Sequence, residues 1–425
     1  MNRQRLIGII LCICVFVCIS HEAESKEPFF LQGGERIVFF GDSITQSGLY
    51  AGYIETFLLT RFPDKQFEII NRGISGETLS GTSEIEQNPP RPDAHKRFSR
   101  DITPLKPDVL VSCFGMNDGN YHPFSEELFA KYRSGVERLI RRAAEQAKTK
   151  LVIMTPPPFD PYRKKMSDSN AKHWGYKYTF IGYDDVLERY SQWLLTFRKD
   201  GFVVADVHTA INNHLAERRK GKVSFYMSGD GVHPNPTGHW LMAQTLLLAW
   251  NTPAEAGSAH IDANTKTPVQ GDVSGLKIQD GTIECTWLSA LPMPMDPRWD
   301  AESVALEKVA ERLNRHRLKV TSLAPGRYRL FANDEMITEL GNDALANGID
   351  LLDLPKFPTV KQSQEVLKLV QQRQQLLYKA WRNSIKAGDK NLPESIIQEA
   401  DLLNARIRQL CRPGSIVLRI TPVSG

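Results

Sequence analysis

Between residue 36 and about residue 252, short and almost uninterrupted apolar runs alternate with longer stretches whose apolar side chains recur every three to four positions. The short runs, Arg36–Phe40, Phe67–Asn71, Asp108–Phe114, Leu151–Thr155 and Phe202–Val207, read as strands covered on both faces. The longer stretches, Leu49–Arg61, Glu126–Ala147, Asp184–Lys199 and Thr237–Trp250, carry the apolar stripe of a helix packed on a sheet. Strand and helix in strict alternation predict an α/β domain with a parallel sheet. Two polar stretches interrupt the rhythm: Ser75–Asp93, with Pro89, Pro90 and Pro92, and Pro156–Tyr183. Each follows a predicted strand, so each is expected to lie near the sheet's carboxyl edge and to wall a substrate pocket.

The pattern changes after residue 252. Residues 253–273 lose periodicity and fill with Ala, Ser, Thr, Pro and Gly, which marks a linker. Beyond it, Leu276–Trp287 contains Asp280-Gly281 between alternating residues, a hairpin signal. Leu318–Leu330, broken by Ala324-Pro325-Gly326, reads in the same manner, and Ser415–Ile420 adds a strand. Between these lies a helical stretch, Thr359–Arg412, with Gln-rich polar faces. The expected organisation is a leader over 1–25, a catalytic domain over 26–252, the linker, and a small β unit with a helical excursion over 274–425.

The leader is read from the basic start Met1-Asn2-Arg3-Gln4-Arg5 followed by the apolar run Leu6–Ile19, with small residues for cleavage at Ser20 or Ser25. This predicts export to the periplasm or beyond the cell, with no membrane span in the mature protein. Of six cysteines, Cys12, Cys14 and Cys18 fall in the leader. Cys113, Cys285 and Cys411 remain; Cys113 reads as a core residue, and whether Cys285 and Cys411 pair is open. A net charge of +4 argues against nucleic acid as a partner, and the clusters Arg141-Arg142 and Arg218-Arg219-Lys220 read as solvated helix faces. The oligomeric state is not legible.

Four segments carry candidate chemistry. Gly41-Asp42-Ser43 closes the first strand, where a strand-to-helix turn presents the Ser43 hydroxyl beside free helix N–H groups. Asn71-Arg72-Gly73 follows the second strand, and Gly73 lets a backbone N–H approach a ligand with no Cβ between. Gly115-Met116-Asn117-Asp118 follows the third, and Asn117 offers a side-chain amide N–H to an oxyanion. Asp230-Gly231-Val232-His233-Pro234 places one carboxylate three residues from one imidazole. Asp230 can then fix the His233 tautomer and leave Nε2 to take a proton from Ser43. His239, one turn further on, reads as structural.

Taken together and in this order, the four segments resemble the SGNH family of GDSL-type hydrolases over about residues 35 to 250. The resemblance implies a three-layer α/β/α, flavodoxin-like fold, with Ser43 as nucleophile, His233 as general base and then acid, and Asp230 as its partner. The oxyanion hole would comprise the Ser43 N–H, the Gly73 N–H and the Asn117 side chain. Serine esterase chemistry of this kind requires no metal and no organic cofactor. The expected substrate is a short acyl ester, in small-molecule or polysaccharide form, above all an O-acetyl group on carbohydrate. Lipid or thioester hydrolysis is the alternative, followed by glycan binding through the C-terminal β unit with an idle site. Tyr121, Trp174, Tyr176 and Tyr178 are open to two roles, stacking on sugar rings or packing under the loops.

Overall fold

A computed structural model describes residues 28–423, apart from 147, 164–172, 266 and 390. The leader expected over 1–25 and part of the second polar stretch therefore lie outside the described residues. No helix among those described is long and apolar enough to cross a membrane.

Five strands, β1 (Arg36–Gly41), β2 (Glu68–Asn71), β3 (Val109–Cys113), β4 (Lys150–Met154) and β5 (Val203–Ala205), form a parallel sheet in the order β2-β1-β3-β4-β5. Ile37–Phe40 and Val109–Val111 are buried on both faces, which is why these segments are continuously apolar. Helices Leu49–Arg61, Glu126–Ala144, Tyr183–Leu195, Val207–Gly221 and Pro236–Ala249 flank the sheet. The order in which successive strands are laid down reverses between β1 and β3, β2 being added on one side of β1 and β3 to β5 on the other, and in open parallel sheets ligands bind at the carboxyl ends beside such a point. Helix Glu126–Ala144 starts where Ser125 Oγ accepts the Leu128 N–H at 3.3 Å, with Glu126 and Glu127 in its first turn. The basic run of Val207–Gly221 is a solvated face only at Lys220: Arg218 is buried against Asp300, Glu302 and the Phe225 ring, and Arg219 pairs with Asp160 at 2.6 Å.

The stretch 253–273 is not a linker. It holds β6 (Glu255–Asp262) and β7 (Thr267–Gly271), whose signal was weak because the inward positions of β6 include Ala256 and Ala259, among polar neighbours. Then follow β8 (Val273–Gln279), β9 (Thr282–Trp287), β10 (Arg315–Thr321), β11 (Arg327–Ala332), β12 (Glu335–Gly341), β13 (Ile349–Asp350) and β14 (Ile416–Pro422). They form two sheets, β13-β10-β6-β7 and β12-β11-β14-β9-β8, around a common core that includes Ile261, Trp287, Leu318 and Leu330. The hairpin at Asp280-Gly281 is present, with both residues at positive φ. The second expected hairpin is not. β10 pairs with β6 and β13, while β11 pairs with β12 and β14, so the chain passes from one sheet to the other at Pro325-Gly326.

The helical excursion comprises Pro358–Ala387 and Glu394–Cys411. The first of these lies on Leu49–Arg61, which explains why that helix is buried nearly all round. Met293, Trp299, Val309 and Leu313 return to the core of the catalytic domain, where the Trp299 ring stacks on Trp240 at 4.4 Å. Cys113, Cys285 and Cys411 are free and buried.

Candidate active site

β1 ends at Gly41, and a Cβ there would meet Thr45 Oγ1 at 2.0 Å and the Cys113 carbonyl at 2.7 Å. This close approach seats the short helix Ser43–Gln46 on the sheet edge. Asp42 caps it, its Oδ1 accepting the Ile44 N–H at 2.9 Å, and Ser43 stands at the first helical position, where N–H groups lack an intrahelical acceptor. The opposing group comes from the turn before helix Pro236–Ala249. Gly231 adopts φ +81°, and Asp230 Oδ1 accepts the N–H groups of Val232 and His233 at 3.0 and 2.8 Å. Asp230 Oδ2 then accepts the Nδ1–H of His233 at 2.7 Å, leaving Nε2 facing Ser43 Oγ at 2.8 Å. Partial burial works to raise the Asp230 pKa. The hydrogen bonds from the His233 ring, from the His233 and Val232 N–H groups and from the Tyr176 hydroxyl outweigh it and hold the carboxyl well below the usual range.

Gly73 and Asn117 flank the same point. A Cβ on Gly73 would meet Gln46 N at 2.3 Å and Thr45 C at 2.6 Å, so its absence is what allows the second loop to lie against the Ser43 helix. The Gly73 N–H is donated to Asn71 Oδ1 at 2.8 Å. Asn117 is buried, its Nδ2 donating to the Glu77 carbonyl at 3.1 Å and lying 3.4 Å from Asp42 Oδ2. Asp42 is fully enclosed, and burial lifts its pKa to about 7 against the Ile44 N–H and the nearby positive potential of His233.

Of the groups that back these residues, the sequence singled out Tyr121 and Tyr176, for other roles, and not Arg91 or Glu84. Arg91 donates to Asn117 Oδ1 at 3.0 Å and is clamped by Glu84 at 2.5 Å, and Tyr121 OH donates to the same Asn117 oxygen at 2.9 Å. Glu84 also accepts the Tyr176 N–H at 3.2 Å, and Tyr176 OH donates to Asp230 Oδ2 at 2.8 Å. The two polar stretches thus meet at the site, through Glu84 and Arg91 of one and Tyr176 of the other. Tyr121 is buried and packs on Tyr176 and Tyr183, which settles its two open roles for packing. Trp174 is edge-on to Phe180. Burial raises the pKa of Asp118, the next residue, to about 6, against the Leu79 and Ser80 N–H groups that it accepts.

A cleft of about 600 Å³ opens from Ser43 and His233, and its far wall is the helix Pro358–Ala387. Leu49 is the one aliphatic side chain among the described residues that line it. From the same helix, Tyr378 OH donates to the Gly73 carbonyl at 2.8 Å. A serine, an imidazole and a carboxylate in a hydrogen-bonded row beside several amide donors are the equipment of acyl transfer.

Comparison with known proteins points the same way. The GDSL-like lipase/acylhydrolase family matches residues 39–241. An acetylxylan esterase of Geobacillus stearothermophilus is 24% identical over 240 residues, 50% of this chain and 93% of that protein. Among solved structures, a gut microbial diltiazem-metabolizing enzyme superposes with a TM-score of 0.79 at 24% identity, covering 92% of this chain and 98% of its own. Its fold therefore includes the C-terminal region as well. A catalytic mutant of an acetylxylan esterase from Geobacillus stearothermophilus aligns at 21% identity over 53% of this chain and 97% of its own, with a TM-score of 0.40. With its parallel α/β sheet and the family match, residues 39–241 form a domain of the GDSL-like lipase/acylhydrolase family, and the protein is a carboxylic ester hydrolase.

Proposed function

We propose that the protein is a serine esterase that removes short acyl groups, foremost acetyl, from hydroxyls of carbohydrate through an acyl-enzyme. The observation that carries this reading is the unbroken row Asp230–His233–Ser43, at 2.7 and 2.8 Å. Ser43 Oγ attacks the ester carbonyl while His233 Nε2 accepts its proton, and Asp230 stabilises the imidazolium. The tetrahedral oxyanion is held by the Ser43 N–H, the Gly73 N–H and the Asn117 amide. Two of these donors now serve internal acceptors, and an oxyanion, as the stronger acceptor, takes a share of them. His233 then protonates the leaving alcohol, and in the second half-reaction it activates water against the acyl-Ser43 ester.

Two supports favour a sugar over a lipid. The side chains that line the cleft beside Ser43 are mostly amides, hydroxyls and charged groups, with Leu49 as the one aliphatic among the described residues, and the acetylxylan esterase relative acts on an acetylated polysaccharide by its name. Export, expected from residues 1–25, suits a polymer met outside the cytoplasm. The test is p-nitrophenyl acetate hydrolysis followed by acetate release from acetylated polysaccharide. Ser43→Ala and His233→Ala are each expected to abolish both activities, and undiminished turnover by Ser43→Ala would remove Ser43 as nucleophile. A preference for esters of long-chain acids over acetate would instead favour the lipid alternative.

A further inference from the structure

We infer that the helix Pro358–Ala387 supplies the subsite for the alcohol half of the ester, and that a row of glutamines on it selects a hydroxyl-rich alcohol such as a glycosyl residue. This inference rests on the proposed serine-esterase reading and adds to it the part of the chain that chooses the substrate.

Gln371, Gln374, Gln375 and Tyr378 fall at i, i+3, i+4 and i+7, so they occupy one face of the helix, and all four line the cleft that begins at Ser43 and His233. An amide presents both donors and an acceptor, and a sugar hydroxyl is itself donor and acceptor, so a row of amides matches a row of hydroxyls without a charge. The row is set for a ligand in a further respect. Gln371 Nε2 is buried and has no hydrogen-bond acceptor among the described residues, a donor left unsatisfied next to the cleft. Gln374 is pinned, its Nε2 donating to Glu55 Oε2 at 2.6 Å.

Two cationic side chains also line the cleft, Arg298 and Lys379. Arg298 forms a bidentate pair with Asp296 at 2.5 and 2.9 Å and only brushes Gln371 Oε1 at 3.4 Å. Recognition along the row itself therefore runs through neutral amides, with the exposed Lys379 one turn beyond Gln375. The same helix also reaches the acyl side, because Tyr378 OH holds the Gly73 carbonyl and so fixes the peptide next to a proposed oxyanion donor. One element thus ties alcohol recognition to the backbone beside the reacting carbonyl.

The test compares two acetyl esters of primary alcohols that differ only in the alcohol, methyl 6-O-acetyl-glucoside, with three free hydroxyls, and ethyl acetate, on the full chain and on Gln371→Leu/Gln375→Leu. Leucine keeps most of the volume, and neither glutamine makes a strong internal bond, so the variant is expected to melt with the wild type. The single variant Gln375→Leu, at an exposed position, repeats the measurement should the double variant melt early. The expected result is a wild-type preference, in kcat/KM, for the glycoside ester that falls by about tenfold or more in the double variant, as when hydroxyl-matching groups are lost. A ratio unchanged within about twofold would overturn the alcohol subsite while leaving the Ser43 chemistry in place. A wild type that turns over ethyl acetate as well as the glycoside ester would overturn both this inference and the carbohydrate reading. Activity surviving in Ser43→Ala would instead strike the esterase mechanism itself.

Discussion

His233 and His239 stand six residues apart in one turn and the helix it opens, and their surroundings give them opposite roles. His233 is half-exposed between Asp230 and Ser43, whereas His239 is buried, stacked on Tyr50 with ring planes 7° apart and 3.0 Å from Ser47 Oγ. Burial, aided by the neighbouring His233, pushes the His239 pKa down to about 3. In the unfolded chain that ring takes a proton below about pH 6.5, so the folded state loses stability as pH falls from there towards 3. Between pH 7 and pH 5 the loss amounts to about 2 kcal/mol for this one group. Urea titrations at both values are expected to show that loss reduced by about this amount in His239→Gln; an equal loss in both proteins would mean that the ring charges inside the fold. Asp42 and Asp118, whose raised pKa values work in the opposite sense, are common to both proteins and cancel. Asn117 makes a second prediction at this scale. Asn117→Ala removes the proposed oxyanion donor and should lower kcat roughly 10²- to 10³-fold. It also strips Arg91 and Tyr121 of their shared acceptor, at about 1–3 kcal/mol of stability, so both quantities are to be measured.

Gly73 shows how an element rather than a residue holds the nucleophile in place. The sequence suggests that its missing Cβ lets an N–H approach a ligand; the structure adds that the missing Cβ lets the β2 loop touch the backbone of Thr45 and Gln46. Backbone atoms at 2.3 and 2.6 Å cannot turn aside as a side chain can, so Gly73→Ala must shift the Ser43 helix. Displacement of a reacting group by about 1 Å can cost on the order of 10²-fold in rate. The variant is therefore expected to keep its far-UV circular dichroism and lose kcat by that order, and normal turnover would show that the loop yields instead. What was legible in the sequence follows the same division. The strands of the parallel sheet could be read because both faces are covered, and Leu49–Arg61 could be read to its ends. The four motif segments are local in sequence, and Asp230 reaches His233 within one turn. β6 was missed because its buried positions are Ala256, Gly257 and Ala259 with Ile261 as the one bulky side chain, and β10 and β11 were paired with each other because a Pro-Gly turn signals a reversal without saying which strand lies beside which. Arg91, Glu84 and Tyr176 depend on two loops meeting, and the glutamine row depends on a helix crossing from another region. No local pattern encodes either contact.

At the scale of the molecule, the catalytic domain and the C-terminal region are locked together by two devices that differ in kind. The first is electrostatic. Glu55 is buried on the helix beside the Ser43 turn, and its partners are Arg373 and Gln374 of the C-terminal helix, Arg373 being held in turn by Asn404. Arg373→Met would leave the Glu55 carboxylate buried with one partner, and about 3–5 kcal/mol of stability should go with it. Adding Glu55→Gln should restore most of that, because the charge left stranded is then gone; a double variant as unstable as the single one would show that packing, not charge, is lost. The second device is apolar. Met293, Trp299, Val309 and Leu313 belong to the catalytic domain's core although they lie beyond residue 252, and buried side chains of this size contribute about 1.5–3 kcal/mol each. Four of them match a large share of a domain's net stability of about 5–15 kcal/mol. A chain ending at residue 252 would expose Tyr53 and Trp240, whose rings now face Trp299, and would leave His214 without Ser303 and Glu307. Such a fragment is expected to be insoluble or molten, without cooperative melting or esterase activity, even though it contains Ser43, Gly73, Asn117, Asp230 and His233. A fragment that melts cooperatively and turns over p-nitrophenyl acetate would show instead that the parallel sheet closes its own core and that the C-terminal region is an addition to it.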